Sequence, residues 1–146
     1  MKFAKIVLVT LAVVGSVAVA YAKGERTVPE AMARAQLMDD VRTNMGVLGG
    51  MAEGKVAFDA AAAAAARDAL IADADKISEA FAVQGADDPA SEAKPEIWTD
   101  WDAFLVKAGG LKSAAEAVDT TSLDTVKAGL GGLGGACKAC HQTYRE

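Results

Sequence analysis

Downstream of residue 27, apolar side chains recur every three or four positions in four separate segments. That spacing gathers side chains onto one face of an α-helix. In the first segment Ala31, Ala35, Met38, Met45, Leu48 and Ala52 form the stripe, with Val41 beside it. Thr27-Val28-Pro29-Glu30 supplies an N-cap hydroxyl, a proline for the first turn and a glutamate placed for a capping box, and Gly54 can end the helix. Asp59 caps a second helix whose inward positions are Ala63, Ala66, Leu70, Ala74, Ile77 and Phe81; Arg67, Asp73, Asp75 and Lys76 take the other face, and the helix ends near Gln84. Residues 85–94 are polar and interrupted by Pro89, which makes them the one long connection, suited to crossing an end of the molecule.

Pro95 and Glu96 open a third helix with Trp98, Trp101, Leu105, Ala108, Leu111, Ala115 and Val118 on one side and a weak point at Gly109-Gly110. Thr121 or Ser122 caps the last helix, whose stripe runs Leu123, Val126, Leu130, Leu133, Cys137, Cys140 and Tyr144. Four amphipathic helices joined mostly by short turns predict an all-α fold, an antiparallel four-helix bundle. Alanine-rich runs such as 60–66 favour helix, and β-branched and aromatic residues are sparse after Ala22.

The N-terminus reads differently. Met1 to Ala22 carries two lysines, an apolar run from Ile6 to Ala20 and small residues at Ala20 and Ala22, the pattern of a secretory signal peptide cleaved after Ala22. The run is shorter than the roughly 20 residues that a bilayer-spanning helix needs. Residues 1–22 are thus expected to be removed during export to the periplasm, leaving 23–146 as one domain with no membrane span. The full chain has 15 basic and 20 acidic residues, a net charge of −5; without Lys2 and Lys5 the balance is 13 against 20, or −7. That excess argues against a nucleic-acid partner, because phosphate neutralisation needs clustered Lys and Arg, and it suggests that a protein partner presents a basic surface.

Both cysteines and the single histidine fall within five residues, Cys137-Lys138-Ala139-Cys140-His141. Thiols at i and i+3 of a helix project from one side, where they can add to two vinyl groups of one porphyrin edge, and a histidine at i+4 stands beside them to ligate iron. Both cysteines also continue the apolar stripe of the last helix, which places a haem inside the bundle near that helix. A thioredoxin-like redox pair would need a preceding strand in a βαβ setting, and a zinc site would need a fourth ligand; the sequence offers neither. One covalently bound haem c, held by Cys137 and Cys140 with His141 as the axial iron ligand, is the expected cofactor. Glycines 129, 131, 132, 134 and 135 each cost the last helix roughly 1 kcal/mol relative to alanine. They serve either close approach of the backbone to a flat macrocycle or neighbouring helix, or a kink or frayed turn.

Gly134-Gly135-Ala136-Cys137-Lys138-Ala139-Cys140-His141 followed by Tyr144-Arg145, with Lys94-Pro95-Glu96-Ile97-Trp98 and the Arg34/Met38 pair, resembles the cytochromes c′, the class II c-type cytochromes. The resemblance covers essentially all of 23–146. It implies that Arg34 pairs with a haem propionate, that Met38 crowds the distal face, that Trp98 packs near the haem and that Arg145 is the basic residue beside the proximal histidine. Ala35 replaces a glutamine that often follows the family's arginine. Arg34 and Met38, four apart, share one helix face.

The family further implies a non-enzymatic haem protein that exchanges one electron or binds small gases such as nitric oxide or carbon monoxide at a five-coordinate iron, and that commonly forms a homodimer through its first two helices. A Met38 sulfur bonded to iron would instead make a six-coordinate electron carrier. A haem enzyme has the least support, since no distal acid–base residue is visible.

Overall fold

The structure, a computed structural model, describes residues 24–85 and 88–146, so the proposed signal segment lies outside the described residues. Five helices follow one another: α1 (Pro29–Ala52), α2 (Ala60–Ala80), a single turn α3 (Glu96–Thr99), α4 (Trp101–Glu116) and α5 (Leu123–Tyr144). The four long ones form an antiparallel bundle in which α1 packs on α2, α2 on α4, α4 on α5 and α5 back on α1. No helix among the described residues is long and apolar enough to cross a membrane.

The helix starts follow the sequence in two cases and depart from it in one. Asp59 accepts a hydrogen bond from the Ala62 N–H at 2.9 Å and begins α2. Ser122, one of the two candidates, caps α5 through a reciprocal box with Thr125. In α1, however, Pro29 is the first helical residue, so the cap position falls on Val28, which has no side-chain acceptor, and Glu30 sits one place too early for a capping box. The Thr27 hydroxyl is therefore not the cap. The Asp88 carboxylate reaches in from the long connection instead, accepting the N–H groups of Thr27 and Val28 at 2.8 and 2.9 Å. Gly54, at φ 73°, follows the last turn of α1 as expected.

The α1 stripe resolves into two adjacent faces. Leu37, Leu48 and Met51 are buried in the core between helices, whereas Ala35, Met38 and Met45 line a cavity; Val41 serves both. On α2 the six expected positions are buried, and Asp73 joins them at 5% exposure instead of facing solvent. It is tied there by Asn44 Nδ2 at 3.3 Å and Lys76 Nζ at 3.0 Å. The α2 helix also stops at Ala80, short of Gln84.

The expected third helix is broken at Asp100 (φ −128°, ψ 47°). The break turns Ile97 and Phe104 inward in place of Trp98, Trp101 and Leu105, which are only half-buried. Phe104 then meets Phe81, Trp101 and Tyr144 with ring centroids 5.2, 5.5 and 5.3 Å away, while the Tyr144 hydroxyl donates to Asp100 at 3.3 Å. Gly109-Gly110 does not interrupt α4, and the glycine run does not interrupt α5. Within the α5 run Gly129 permits a close approach between helices, for a Cβ there would lie 3.0 Å from Val118 Cγ2; a Cβ at 131, 132, 134 or 135 would meet no protein atom within 4 Å, and Gly134 lies on the wall of a cavity.

Candidate functional site

The cavity, of about 480 Å³, opens between α1, α4 and α5 and is backed by Ile77 of α2 and Phe81 just beyond its end. Six of the seven residues singled out in the sequence line it: Arg34 and Met38 from α1, Cys137, Cys140 and His141 from α5, and Arg145 just beyond α5. Trp98 does not. Its indole packs against the Arg34 guanidinium, 5.0 Å from ring centroid to Cζ, and its N–H donates to the Phe81 carbonyl at 2.8 Å. Trp98 thus acts on the cavity through Arg34, as a support for the cation.

Arg34 is only 5% exposed. Its Nε donates to the Glu30 carbonyl and its Nη2 to the Gln84 carbonyl, both at 3.0 Å, and Phe81 flanks it with Cζ 5.6 Å from the ring centroid. The α2 C-terminus makes this possible: Gly85 has φ +74°, and a Cβ there would come within 3.3 Å of Glu30 Cβ and 3.5 Å of Arg34 Nη2. The remaining nitrogen, Nη1, is buried with no hydrogen-bond partner. Burial pushes the Arg34 pKa down, partly offset by Glu30, yet a guanidinium stays charged at any physiological pH. A buried cation with one donor free is a site prepared for a carboxylate.

On α5 both cysteines are half-buried and neither is in a disulfide. Burial raises both thiol pKa values, so the sulfurs are protonated at neutral pH. His141 is shifted the other way: burial, then the neighbouring Arg145 charge, lower its pKa against the pull of Glu92. Its imidazole is therefore neutral, as metal ligation requires.

The long connection closes this end of the molecule. Arg145 pairs with Glu92, Nε to Oε2 at 2.7 Å, while its backbone N–H donates to the His141 carbonyl at 3.1 Å. The Lys94 N–H donates to the Tyr144 carbonyl and the Glu146 N–H to the Glu92 carbonyl, each at 3.0 Å, around an antiparallel bridge between Ala93 and Arg145. Ser91, Glu92 and Ala93 consequently form part of the cavity wall. Glu92 and Lys107, also on the wall, carry no signal in the sequence: one lies in a polar loop and the other reads as a solvated helix charge.

The family model described as Cytochrome C′ matches residues 30–145. The chain belongs to the cytochrome c′ family. Cytochrome c-554 of Cereibacter sphaeroides is 40% identical over 118 residues, covering 75% of this chain and 76% of that protein. Among solved structures, cytochrome c′ from Rhodopseudomonas palustris aligns with a TM-score of 0.71 at 26% identity, over 82% of this chain and 98% of that one. A nitric oxide complex of a variant cytochrome c′ from Alcaligenes xylosoxidans aligns with a TM-score of 0.70 at 26% identity, over 80% and 93% of the two chains. As a cytochrome c′ family member the chain is a mono-haem c-type cytochrome whose cofactor is covalently attached haem c. The residues present fit that group: two thiols and a neutral imidazole on one helix, an apolar cavity, and an unpaired buried guanidinium nitrogen for a propionate.

Proposed function

We propose that residues 23–146 form a periplasmic haem protein, exported with cleavage after Ala22, that transfers single electrons and binds small neutral gases. Cys137 and Cys140 hold the porphyrin edge by thioether bonds and His141 is the axial ligand. Arg34 Nη1 binds a propionate, with Trp98 and the Gln84 carbonyl holding the guanidinium in place. The observation that carries this reading is the convergence of these side chains on one cavity, together with the lone unpaired donor of Arg34.

Bound haem supplies a one-electron iron couple and a position for a diatomic ligand. The chain supplies the surroundings. Val41, Ile77, Phe104 and Leu111 give the cavity an apolar interior, and Met38 adds an apolar, polarisable side chain from α1, which on this reading crowds the distal face. Asp39, the α1 carboxylate next to Met38 in the chain, is exposed and paired with Arg42 at 3.0 Å.

A second reading rests on Met38 itself, whose half-buried thioether lines the cavity. Ligation of iron by that sulfur makes a six-coordinate electron carrier. Absorption and EPR spectra of the matured protein, ferric and ferrous, with carbon monoxide added to the ferrous form, separate the two. High-spin ferric iron with ready gas binding supports the five-coordinate reading; low-spin iron that excludes the gas supports methionine ligation. Haem extracted intact by denaturing solvent would overturn both. The α1–α2 homodimer belongs to the same proposal, and sedimentation velocity at micromolar concentration tests it.

A further inference from the structure

Most ion pairs among the described residues are local: Arg42 with Asp39, Arg67 with Asp68 and Lys76 with Asp73 join residues no more than three apart. Two pairs join distant segments, Lys112 with Asp75 and Arg145 with Glu92, and of these two only the second lies on the cavity wall. There the Arg145 guanidinium grips one carboxylate oxygen of Glu92, with Nε at 2.7 Å and Nη2 at 2.6 Å. The main chain of both residues is fixed independently of that grip. Arg145 is extended (φ −121°, ψ 141°) and its N–H donates to the His141 carbonyl, while the Glu92 carbonyl accepts the Glu146 N–H beside the bridge of Ala93 to Arg145. The Glu92 side chain is therefore not needed to close the strap, and an exposed ion pair adds little to stability. Its charge does reach the site: Arg145 and Glu92 act on His141 in opposite senses, Arg145 lowering its pKa and Glu92 raising it.

We propose that Glu92 is a positioning residue for the redox centre, holding the Arg145 guanidinium beside the histidine that ligates iron and offsetting its charge there, so that the pair sets the balance between ferric and ferrous haem. This rests on the haem reading above. Uptake of one electron lowers the charge at iron by one, so a nearby cation favours the ferrous form and a nearby anion the ferric form. Arg145 alone pulls the equilibrium toward ferrous iron, and Glu92 withdraws much of that pull. Both side chains are partly solvated, so each charge acts through a high effective dielectric and is worth about three- to tenfold in the equilibrium rather than several decades. Other charges at this end of the molecule, Arg26 with Asp88, Arg34 with Glu30, and Glu146, stay the same when Glu92 is varied and drop out of the comparison.

Spectroelectrochemical titration of the matured holoprotein at pH 7 and 0.1 M salt reads the balance directly. Glu92→Gln removes the charge at nearly constant shape and should raise the ferrous-to-ferric ratio at a fixed potential by about three- to tenfold, tenfold being 59 mV for one electron. Arg145→Gln should move the ratio the other way, and the double variant should lie nearer the parent protein than either single one. Glu92→Asp, which keeps the charge, should stay within about twofold of the parent, and Glu53→Gln, the same loss of charge beside Lys55 beyond the other end of α1, should change the ratio less than about twofold. An unchanged or lowered ratio in Glu92→Gln would overturn the proposal. So would a Glu92→Asp or Glu53→Gln shift as large as that of Glu92→Gln, which would trace the effect to shape or to net charge. Failure of the parent chain to acquire covalent haem would refute the functional reading instead, and it is seen before any potential is measured.

Discussion

Replacing Arg34 with methionine removes the charge while keeping most of the stem, and the cost depends on what Nη1 meets. The guanidinium gives two hydrogen bonds to carbonyls, from Nε to Glu30 and from Nη2 to Gln84, each worth about 1.5 kcal/mol for a charged donor. Stacking on Trp98 adds about 1 kcal/mol. If Nη1 has no partner in the haem-loaded protein, Arg34→Met also relieves a buried unsatisfied donor worth about 1–3 kcal/mol, and the net loss is about 1–3 kcal/mol. If Nη1 binds a propionate, nothing is relieved and one more charge-assisted bond is lost, so the loss reaches about 5.5 kcal/mol. Guanidinium chloride unfolding of both holoproteins, followed at the Soret band and by far-ultraviolet circular dichroism, measures the difference. Arg34→Lys, which keeps the charge but not the fork, should recover less than half of it. A loss below about 3 kcal/mol with covalent haem intact would refute the propionate role of Arg34.

Glycine substitutions in α5 should differ by position: Gly131→Ala, with open space around its Cβ, should stabilise the fold by about 0.5–1 kcal/mol, while Gly129→Ala, crowded by Val118, should gain nothing or destabilise it, as read by thermal unfolding. The Asp88 carboxyl is held below the usual carboxylate range chiefly by the N–H groups of Val28 and Thr27. Its stabilisation is therefore complete above the unfolded-state pKa of about 4 and is lost as pH falls through the lower folded-state value. Unfolding midpoints measured from pH 6 to pH 2 should decline on the acid side, less steeply in Asp88→Asn; parallel declines would exclude Asp88 as an anchor of α1.

Helical periodicity located all four long helices because each must bury one face, and that constraint is local in sequence. It blurred the α1 stripe because this helix has two jobs: Leu37 and Leu48 serve the core, while Met38 and Met45 serve the cavity. The break at Asp100 escaped notice because Trp98, Trp101 and Leu105 fit a single helix as well as Ile97 and Phe104 fit a broken one. The cysteine–histidine motif was legible since its chemistry needs three residue types at fixed spacing. Glu92 was not, because its role comes from a contact 53 positions away with Arg145. Trp98 was legible as an aromatic beside the site, but only the packing shows that its neighbour is the guanidinium of Arg34.

The connection between α2 and α3 is fastened at two places, by Asp88 to the start of α1 and by Glu92 and Ala93 to the end of α5. A loop pinned in this way surrenders its chain entropy once, when the protein folds. In the electron carrier proposed above, the lip of the cavity would then already be in place when an electron arrives or leaves, and little nuclear rearrangement would accompany the change in iron charge. A pinned rim of this kind would lower the reorganisation barrier to electron exchange, so that a segment with no redox chemistry of its own would help set how fast that chemistry runs.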